Sequence, residues 1–102
     1  MILSSKQRAF LRKYAHNLEP MMRVGKDGIN ENVIKSLEDL FRKRELVKVK
    51  MLQNSEDEIE ETAEILSEGV GAEIIHILGK TILYYKENEK KPDISLKLKE
   101  IK

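Results

Sequence analysis

The sequence contains no cysteine among its 102 residues. This absence excludes a disulfide framework and a thiolate metal site, and it fits a reducing, cytoplasmic environment. The chain also lacks an apolar run long enough to cross a bilayer. Residues 1–5 contain neither a basic segment nor a long apolar segment, so we predict no signal peptide. We therefore expect a cytoplasmic chain that has no membrane partner.

Charged residues, by contrast, are abundant and unevenly distributed. They make up 36% of the chain, although the net charge is only +1. Residues 1–50 contain 12 Lys or Arg and 6 Asp or Glu, a net charge of +6, whereas residues 51–102 contain 7 and 12, a net charge of −5. A basic half favours an anionic partner such as nucleic acid. An uneven spread of ordinary surface charge is the alternative, and charge alone does not separate the two.

Residues 4–18 are predicted to form a first helix, with Ser4 or Ser5 as its cap. Its apolar positions recur at three- and four-residue spacing and are Phe10, Leu11, Tyr14, Ala15 and Leu18. The remaining arc contains no acid and carries Lys6, Arg8, Arg12, Lys13 and His16. A solvated helix normally mixes charges of both signs, so this face favours an anionic partner. A merely solvated face is the alternative.

A glycine turn follows a short apolar segment. Pro20 ends the first helix, because the residue before a proline avoids helical angles, and residues 21–24 are predicted to form a strand. The turn itself is Gly25-Lys26-Asp27-Gly28. Glycine permits backbone angles closed to other residues and lets another molecule approach closely. Since a helix start presents unpaired N–H groups, this turn is a candidate phosphate site.

The helix after this turn has the clearest amphipathic pattern in the chain. Asn30 is its predicted N-cap, and Ile29 and Ile34 have the spacing of a hydrophobic staple, which would fix the turn relative to the helix axis. The apolar face consists of Val33, Ile34, Leu37, Leu40 and Phe41. Arg42–Arg44 are expected in the last turn, where cations complement the helix dipole.

A strand and a third, acidic helix are predicted next. Residues 46–52 alternate partway between apolar and polar side chains and indicate a strand. Ser55–Glu58 form a capping box at the start of the helix. The helix is expected to run to about Glu68, because Gly69 and Gly71 stop it. Its acidic face makes it a poor candidate for contact with phosphate.

Two further strands complete an α/β domain. Residues 72–78 and 81–86 are predicted to form an antiparallel hairpin around the Gly79-Lys80 turn. The order α-β-α-β-α-β-β predicts a compact two-layer domain with a mixed four-stranded sheet over residues 1–86, since strands separated by helices are expected to be parallel. Residues 87–102 form a charged C-terminal tail that we expect to be mobile or loosely docked.

The sequence contains no recognisable catalytic arrangement. Gly79-Lys80-Thr81 resembles the end of a nucleotide-binding phosphate loop, but Ile74 stands where that motif needs glycine, and a strand is predicted to follow instead of a helix. Lys80 remains a candidate basic contact. His16 and His76 lie in no ligand-spaced motif and are predicted to be ordinary helix-surface or sheet-face residues. We therefore predict no enzyme activity, cofactor, metal or small-molecule substrate.

Several segments match a known family in order along the chain. They are residues 5–16 (SKQRAFLRKYAH), 20–29 (PMMRVGKDGI), 45–50 (ELVKVK), 71–73 (GAE) and 77–81 (ILGKT). Through this ordered set the chain resembles the CRM domain family (chloroplast RNA splicing and ribosome maturation), in its stand-alone bacterial YhbY-type form. The resemblance implies a fold similar to the C-terminal domain of translation initiation factor three, with an added N-terminal helix. It also implies RNA binding and association with precursors of the large ribosomal subunit during assembly.

The resemblance also implies a location for the RNA contacts, since in the family the glycine turn and the basic first helix form the RNA surface. The predicted RNA-binding residues are Lys6, Arg8, Arg12, Lys13, Arg23, Gly25, Lys26, Asp27, Gly28 and Lys80. Asp27 places an acid in the turn, so the helix supplies much of the positive charge. The alternative function is a protein-interaction module that joins a ribonucleoprotein through the acidic third helix or the tail. We expect a monomer.

Overall fold

The computed structural model describes residues 3–25, 28–52 and 58–101. Its elements, in chain order, are α1 (Ser5–Ala15), β1 (Met22–Val24), α2 (Glu31–Phe41), β2 (Leu46–Met51), α3 (Ile59–Val70), β3 (Glu73–Leu78), β4 (Thr81–Tyr85) and α4 (Ile94–Leu98). The predicted α/β class and the order from α1 to β4 are confirmed, and α4 is an addition within the predicted tail. None of these helices is both long and apolar enough to cross a membrane.

The strands form one mixed sheet in the order β1-β2-β4-β3. β1 and β2 are parallel, with α2 as the crossover between them, whereas β4 is antiparallel to both β2 and β3. The predicted mixed four-stranded sheet and the hairpin at Gly79-Lys80 are therefore confirmed. The carboxyl ends of β1, β2 and β3 meet at one end of the sheet. The glycine turn after β1 and the Gly79-Lys80 turn consequently lie at that same end.

Helices cover both faces of the sheet. On one face α2 and α3 pack in a core that includes Leu37, Leu66 and Tyr84. On the other face α1 and α4 pack in a second core that includes Leu11 and Leu98. The two-layer arrangement expected from the sequence is therefore wrong, because strand side chains alternate between two apolar faces and each face is buried by its own helices. The structure has three layers, with the sheet in the middle.

Local hydrogen bonds confirm the predicted caps at Ser4 and Asn30, and they add a partner, Gln7, that the sequence analysis did not predict. Ser4 and Gln7 form a capping box, in which Ser4 Oγ accepts the Gln7 N–H at 3.1 Å and Gln7 Oε1 accepts the Ser4 N–H at 2.8 Å. Asn30 Oδ1 accepts the Val33 N–H at 3.0 Å at the start of α2. The predicted place of Arg42–Arg44 is wrong, since Arg42 is the C-cap of α2 and the cluster follows the helix.

The boundaries of α3 differ from the prediction. Glu58 is the N-cap of the helix and not a residue of its first turn, while the proposed cap at Ser55 lies outside the described residues. Gly69 does not stop α3, which continues to Val70 and ends at Gly71 in the left-handed conformation. A Cβ at Gly69 would lie 3.3 Å from Ile34 Cγ2, so the glycine allows α3 to approach α2 closely.

A buried carboxylate anchors the C-terminal tail. Glu45, between α2 and β2, is only 1% exposed. Its two oxygens accept the backbone N–H groups of Asn88 and Asp93 at 2.7 Å and of Ser95 at 2.9 Å. Burial raises the pKa of Glu45, but these hydrogen bonds outweigh burial and hold the pKa below its ordinary value of 4.5. The ionised carboxylate is therefore the form that binds the tail.

The tail also packs against α1 through its apolar side chains. Ile94 and Leu98 of α4 are buried in the second core. Gln7 of α1 donates from Nε2 to the carbonyls of Leu98 and Ile101, each at 3.0 Å. The expectation of a mobile or loosely docked tail is therefore wrong. Its anchors, Glu45 and Gln7, are distant in sequence from the residues that they bind.

Candidate nucleic-acid interface

The glycine turn leaves β1, a strand at the edge of the sheet. Gly28 has a φ of +68°, in the left-handed region, and its N–H donates to the Gly25 carbonyl at 3.1 Å. A side chain at Gly28 would therefore strain the backbone. A Cβ at Gly25 would lie 3.6 Å from Leu52 Cδ1, which is an ordinary contact, so the fold requires glycine at Gly28 but not at Gly25. Lys26 and Asp27 lie outside the described residues.

A small hollow lies beside this turn, between β1 and the first turns of α2. Its volume is about 260 Å³, and Arg23 is the only cation among its described lining residues. Asn30 already caps α2, and Glu31 places an exposed acid in the first turn. A carboxylate there complements the helix dipole and repels a phosphate. The start of α2 is thus a less positive site than the glycine motif alone indicates.

Three of the four basic residues predicted on α1 are exposed, whereas Arg8 is engaged within the fold. Among the residues that the structure describes, Lys6, Arg12 and Lys13 form no ion pair. Arg8 pairs with Glu73 at 2.7 Å and also donates to the Ile74 carbonyl at 3.0 Å. A half-exposed pair of this kind contributes little stability, about 0–1 kcal/mol, but it directs the guanidinium toward β3.

An open cleft of about 700 Å³ lies between α1 and the sheet. Its polar lining consists of Arg12, Lys13, His16, Asn17, Lys48, His76 and Thr81. No acidic residue belongs to the part of the lining that the structure describes. The positive charges of this cleft are therefore not neutralised by a carboxylate of its own walls, which makes the cleft attractive to an anion.

Lys48 of β2 fixes one side of the cleft. Its Nζ donates to the carbonyls of Ala15 at 3.1 Å and Leu18 at 3.0 Å, at and just beyond the end of α1. A cation at this position complements the helix dipole. An ammonium group has three N–H bonds, so one donor remains for a ligand. The same lysine thus holds α1 across the sheet and adds positive charge to the cleft.

The strand register continues this basic surface toward the glycine turn. Arg23 of β1 pairs with Lys50 of β2, which pairs in turn with Thr81 of β4. Paired residues of neighbouring strands lie on the same face, and so do Lys48 and Lys50, two positions apart in one strand. Arg23 and Lys50 therefore lie on the α1 face of the sheet, and both are exposed. Lys80, exposed in the β3–β4 turn, lies at the same end.

The predicted residues thus fall into separate places along one face and one end of the sheet. Lys48 and Lys50 were missed, although their alternation with valine in the predicted strand indicates a shared face. His16 and His76 are a helix-surface and a sheet-face residue, as predicted, but they line the same cleft. Within the described parts of the chain, no group of three or more His, Asp or Glu is placed to hold a metal ion.

The fold and this surface define a small α/β domain with a basic cleft and a glycine turn at one end of its sheet. The chain belongs to the CRS1/YhbY (CRM) domain family, whose model matches residues 3–86. The resemblance identified from the ordered sequence segments is therefore confirmed.

Known relatives match nearly the whole chain. Probable RNA-binding protein YqeI of Bacillus subtilis is 41% identical over 95 residues, which cover 93% of this chain and 99% of that protein. Probable RNA-binding protein MJ0652 of Methanocaldococcus jannaschii is 37% identical over 90 residues, which cover 85% of this chain and 66% of that protein. The solution structure of hypothetical protein SAV1595 from Staphylococcus aureus matches with a TM-score of 0.73 and 44% identity, covering 86% of this chain and 92% of that one.

Proposed function

We propose that this protein binds RNA. The observation that carries the proposal is the cleft between α1 and the sheet, which is lined by Arg12, Lys13 and Lys48 and by none of the described acids. The relatives named as probable RNA-binding proteins support it. A phosphate backbone is the polyanion that such a surface attracts, and phosphate contacts hold the RNA in place while carrying little sequence information.

Binding uses two areas of the surface. On α1, the phosphate contacts come from Lys6, Arg12 and Lys13, while Arg8 chiefly holds the helix against β3. At the end of the sheet, the contacts come from the cations Arg23, Lys26 and Lys80 and from the backbone of the glycine turn at Gly25, Asp27 and Gly28, while the Asp27 carboxylate points away from the phosphates in this proposal. Lys48 and Lys50 lie between these areas on the sheet face, so one RNA backbone can follow the cations from the helix to the turn.

The RNA partner that we favour is ribosomal RNA in precursors of the large ribosomal subunit. The basis is the family resemblance, since the CRM domain is named for RNA splicing and ribosome maturation. We propose that the protein acts there as a cytoplasmic monomer that binds during assembly without catalysing a reaction. Fixed cations and backbone N–H groups suit this role, because they recognise the shape of folded RNA through its phosphates.

Removal of two cleft cations provides the test of RNA binding. The double variant Arg12→Ala/Lys13→Ala should bind ribosomal RNA about tenfold more weakly at low salt, and its slope of log K against log salt should fall by about 1.5. Fluorescence anisotropy over a salt series measures both. The matched control is Lys35→Ala/Lys43→Ala, which removes the same charge from exposed positions on and after α2. An equal loss in the control, or a flat salt response of the wild type, would contradict the proposal.

Sucrose-gradient fractionation of cell extract tests the ribosomal part. The protein should migrate with precursors of the large subunit, and the Arg12→Ala/Lys13→Ala variant should shift to the top of the gradient. Ribonuclease treatment should release the wild-type protein from the particles. Retention after ribonuclease would instead favour the alternative protein-interaction module, for which α3 offers Ile65, 43% exposed among exposed glutamates.

A further inference from the structure

The cleft is more than a charged surface, because its floor is apolar. Leu78, Leu83 and the methyl-bearing Thr81 line it from the sheet, and Ala9 and Ala15 line it from α1. Leu78 is 72% exposed, which is a large apolar surface for a leucine in a strand. A bare phosphate gains nothing from such a floor. A ligand that carries both a flat apolar surface and a negative charge matches both parts of the lining.

The polar side chains of the cleft suit the edge of a nucleobase. His16, Asn17 and His76 combine hydrogen-bond donors and acceptors, which is the capacity that base edges require. Imidazole rings also stack on unpaired bases in RNA complexes. His16 is the C-cap of α1 and His76 is on β3, so a base between helix and sheet would have one from each wall. Arg12 and Lys13 stand on the helix side, where the attached phosphate would lie.

The aromatic residues of the chain offer a base no comparable place. Tyr84 and Tyr85 are buried, at 0% and 3% exposure, and so is Phe41, the last residue of α2. Tyr14 is the exception at 43% exposure, but it stands outside the cleft lining, packs with Phe10 at a centroid distance of 6.2 Å and lies 5.7 Å from the Lys97 ammonium. A stacking platform of exposed aromatic rings, as many single-strand binders use, is therefore not what this domain presents.

We propose that the cleft between α1 and the sheet takes up one unpaired nucleotide, with its base over Leu78, Thr81 and Leu83 and its phosphate against Arg12 and Lys13. This inference rests on the proposed RNA binding and adds the form of RNA that is recognised. A base inside a duplex is stacked and paired and cannot enter the cleft, whereas a bulged or looped base can be turned outward. The domain therefore prefers RNA with an unpaired nucleotide beside a helical backbone.

The test compares two synthetic RNA hairpins of equal length and charge. One is fully paired in its stem, and the other carries a single bulged 2-aminopurine nucleotide in the stem. The wild-type protein should bind the bulged hairpin about tenfold more tightly, as expected for one stacked base. Binding should also change the 2-aminopurine fluorescence. The variant Ala9→Phe fills the cleft from α1 without changing charge, so its affinity for the bulged hairpin should fall to its affinity for the paired hairpin.

Two further variants make the result decisive. Ser5→Phe adds the same ring to α1 outside the cleft and should keep the tenfold preference. Thr81→Phe fills the cleft from the sheet and replaces Ala9→Phe if circular dichroism shows that the latter is unfolded. Equal binding of both hairpins by the wild type, or a preference that survives a folded cleft-filling variant, overturns the nucleotide site alone. Failure of the wild type to bind either hairpin at low salt overturns RNA binding itself.

Discussion

The helices cover the two faces of the sheet to different extents, although each face has an apolar core. On the α2/α3 face the buried Tyr84 hydroxyl donates to the Ala63 carbonyl at 2.9 Å, and Gly69 lets α3 approach α2. On the α1/α4 face, polar side chains tie α1 to the sheet near its two ends. Arg8 binds at the start of β3, and Lys48 binds the carbonyls at the end of α1. Leu11 and Ala15 of α1 pack in the second core between these ties, and the cleft opens beside them, along Arg12 and Lys13.

This difference separates stability from recognition. A face closed by interdigitated apolar side chains has no room for a ligand, since protein interiors pack as densely as organic crystals. On the other face an apolar core also holds α1, but it leaves the cleft open beside Arg12 and Lys13. Lys48 ties α1 to the sheet and also adds positive charge to the cleft, whereas the charge of Arg8 is paired with Glu73. This open face therefore keeps its shape and, through Lys48, part of its positive charge.

The largest stability effect on the α1/α4 face is expected at Glu45, whose carboxylate binds the tail that packs against α1. Glu45→Gln keeps the shape of the side chain, but it loses the charge and turns one acceptor into a donor that faces backbone N–H groups. We expect a loss of about 3 kcal/mol in the free energy of unfolding at pH 7. Urea denaturation measures it. Glu89→Gln, an exposed residue of the same tail, should change little.

Wild type and Glu45→Gln should also differ in how their stability depends on pH. The folded-state pKa of Glu45 lies below its ordinary value of 4.5. Its contribution is therefore complete above pH 4.5 and is lost as the pH falls through the lower folded-state value. The difference in the free energy of unfolding between wild type and Glu45→Gln should accordingly become smaller below pH 4.5. A difference that is constant across this range would show that the carboxylate charge does not hold the tail.

The fold was predictable where the signals are local. The cap at Asn30, the cap at Ser4 and the Gly79-Lys80 turn each depend on residues within a few positions of one another. The docked tail was not predictable in this way. Its short helix follows no strong pattern, and it is buried because Glu45 and Gln7, far away in the chain, satisfy its backbone groups.

The candidate site was also predictable only where its signals are local. The exposed cations of α1 follow from the one-sided arc that the helix period reveals, and Gly28 follows from the glycine motif. The cleft depends on three elements that meet only in the fold. His16 and His76 are far apart in sequence, and Lys48 enters the cleft because β2 lies under the end of α1. The ion pair between Arg8 and Glu73 was likewise not predictable, because it depends on where β3 lies in the fold.

The smallest effect is expected at Gly69, and it tests how tightly the α2/α3 face is closed. Alanine favours a helix interior over glycine by about 1 kcal/mol. The added Cβ, however, would lie 3.3 Å from Ile34 Cγ2 and 3.4 Å from its Cδ1, closer than side chains normally pack. Ile34 is only partly buried and can shift by a few tenths of an ångström. We therefore expect Gly69→Ala alone to change stability by less than about 0.5 kcal/mol.

A double-mutant cycle with Ile34→Ala separates the two opposing terms. In the Ile34→Ala background the clash is absent, so Gly69→Ala should recover the full helix gain of about 1 kcal/mol, measured by urea denaturation. The coupling between the two positions is then a direct measure of how closely α2 and α3 approach. A full gain in stability from Gly69→Ala in the wild-type background would mean that α2 and α3 are not closely packed at this point. In that case close packing would no longer distinguish this face from the face that carries the cleft.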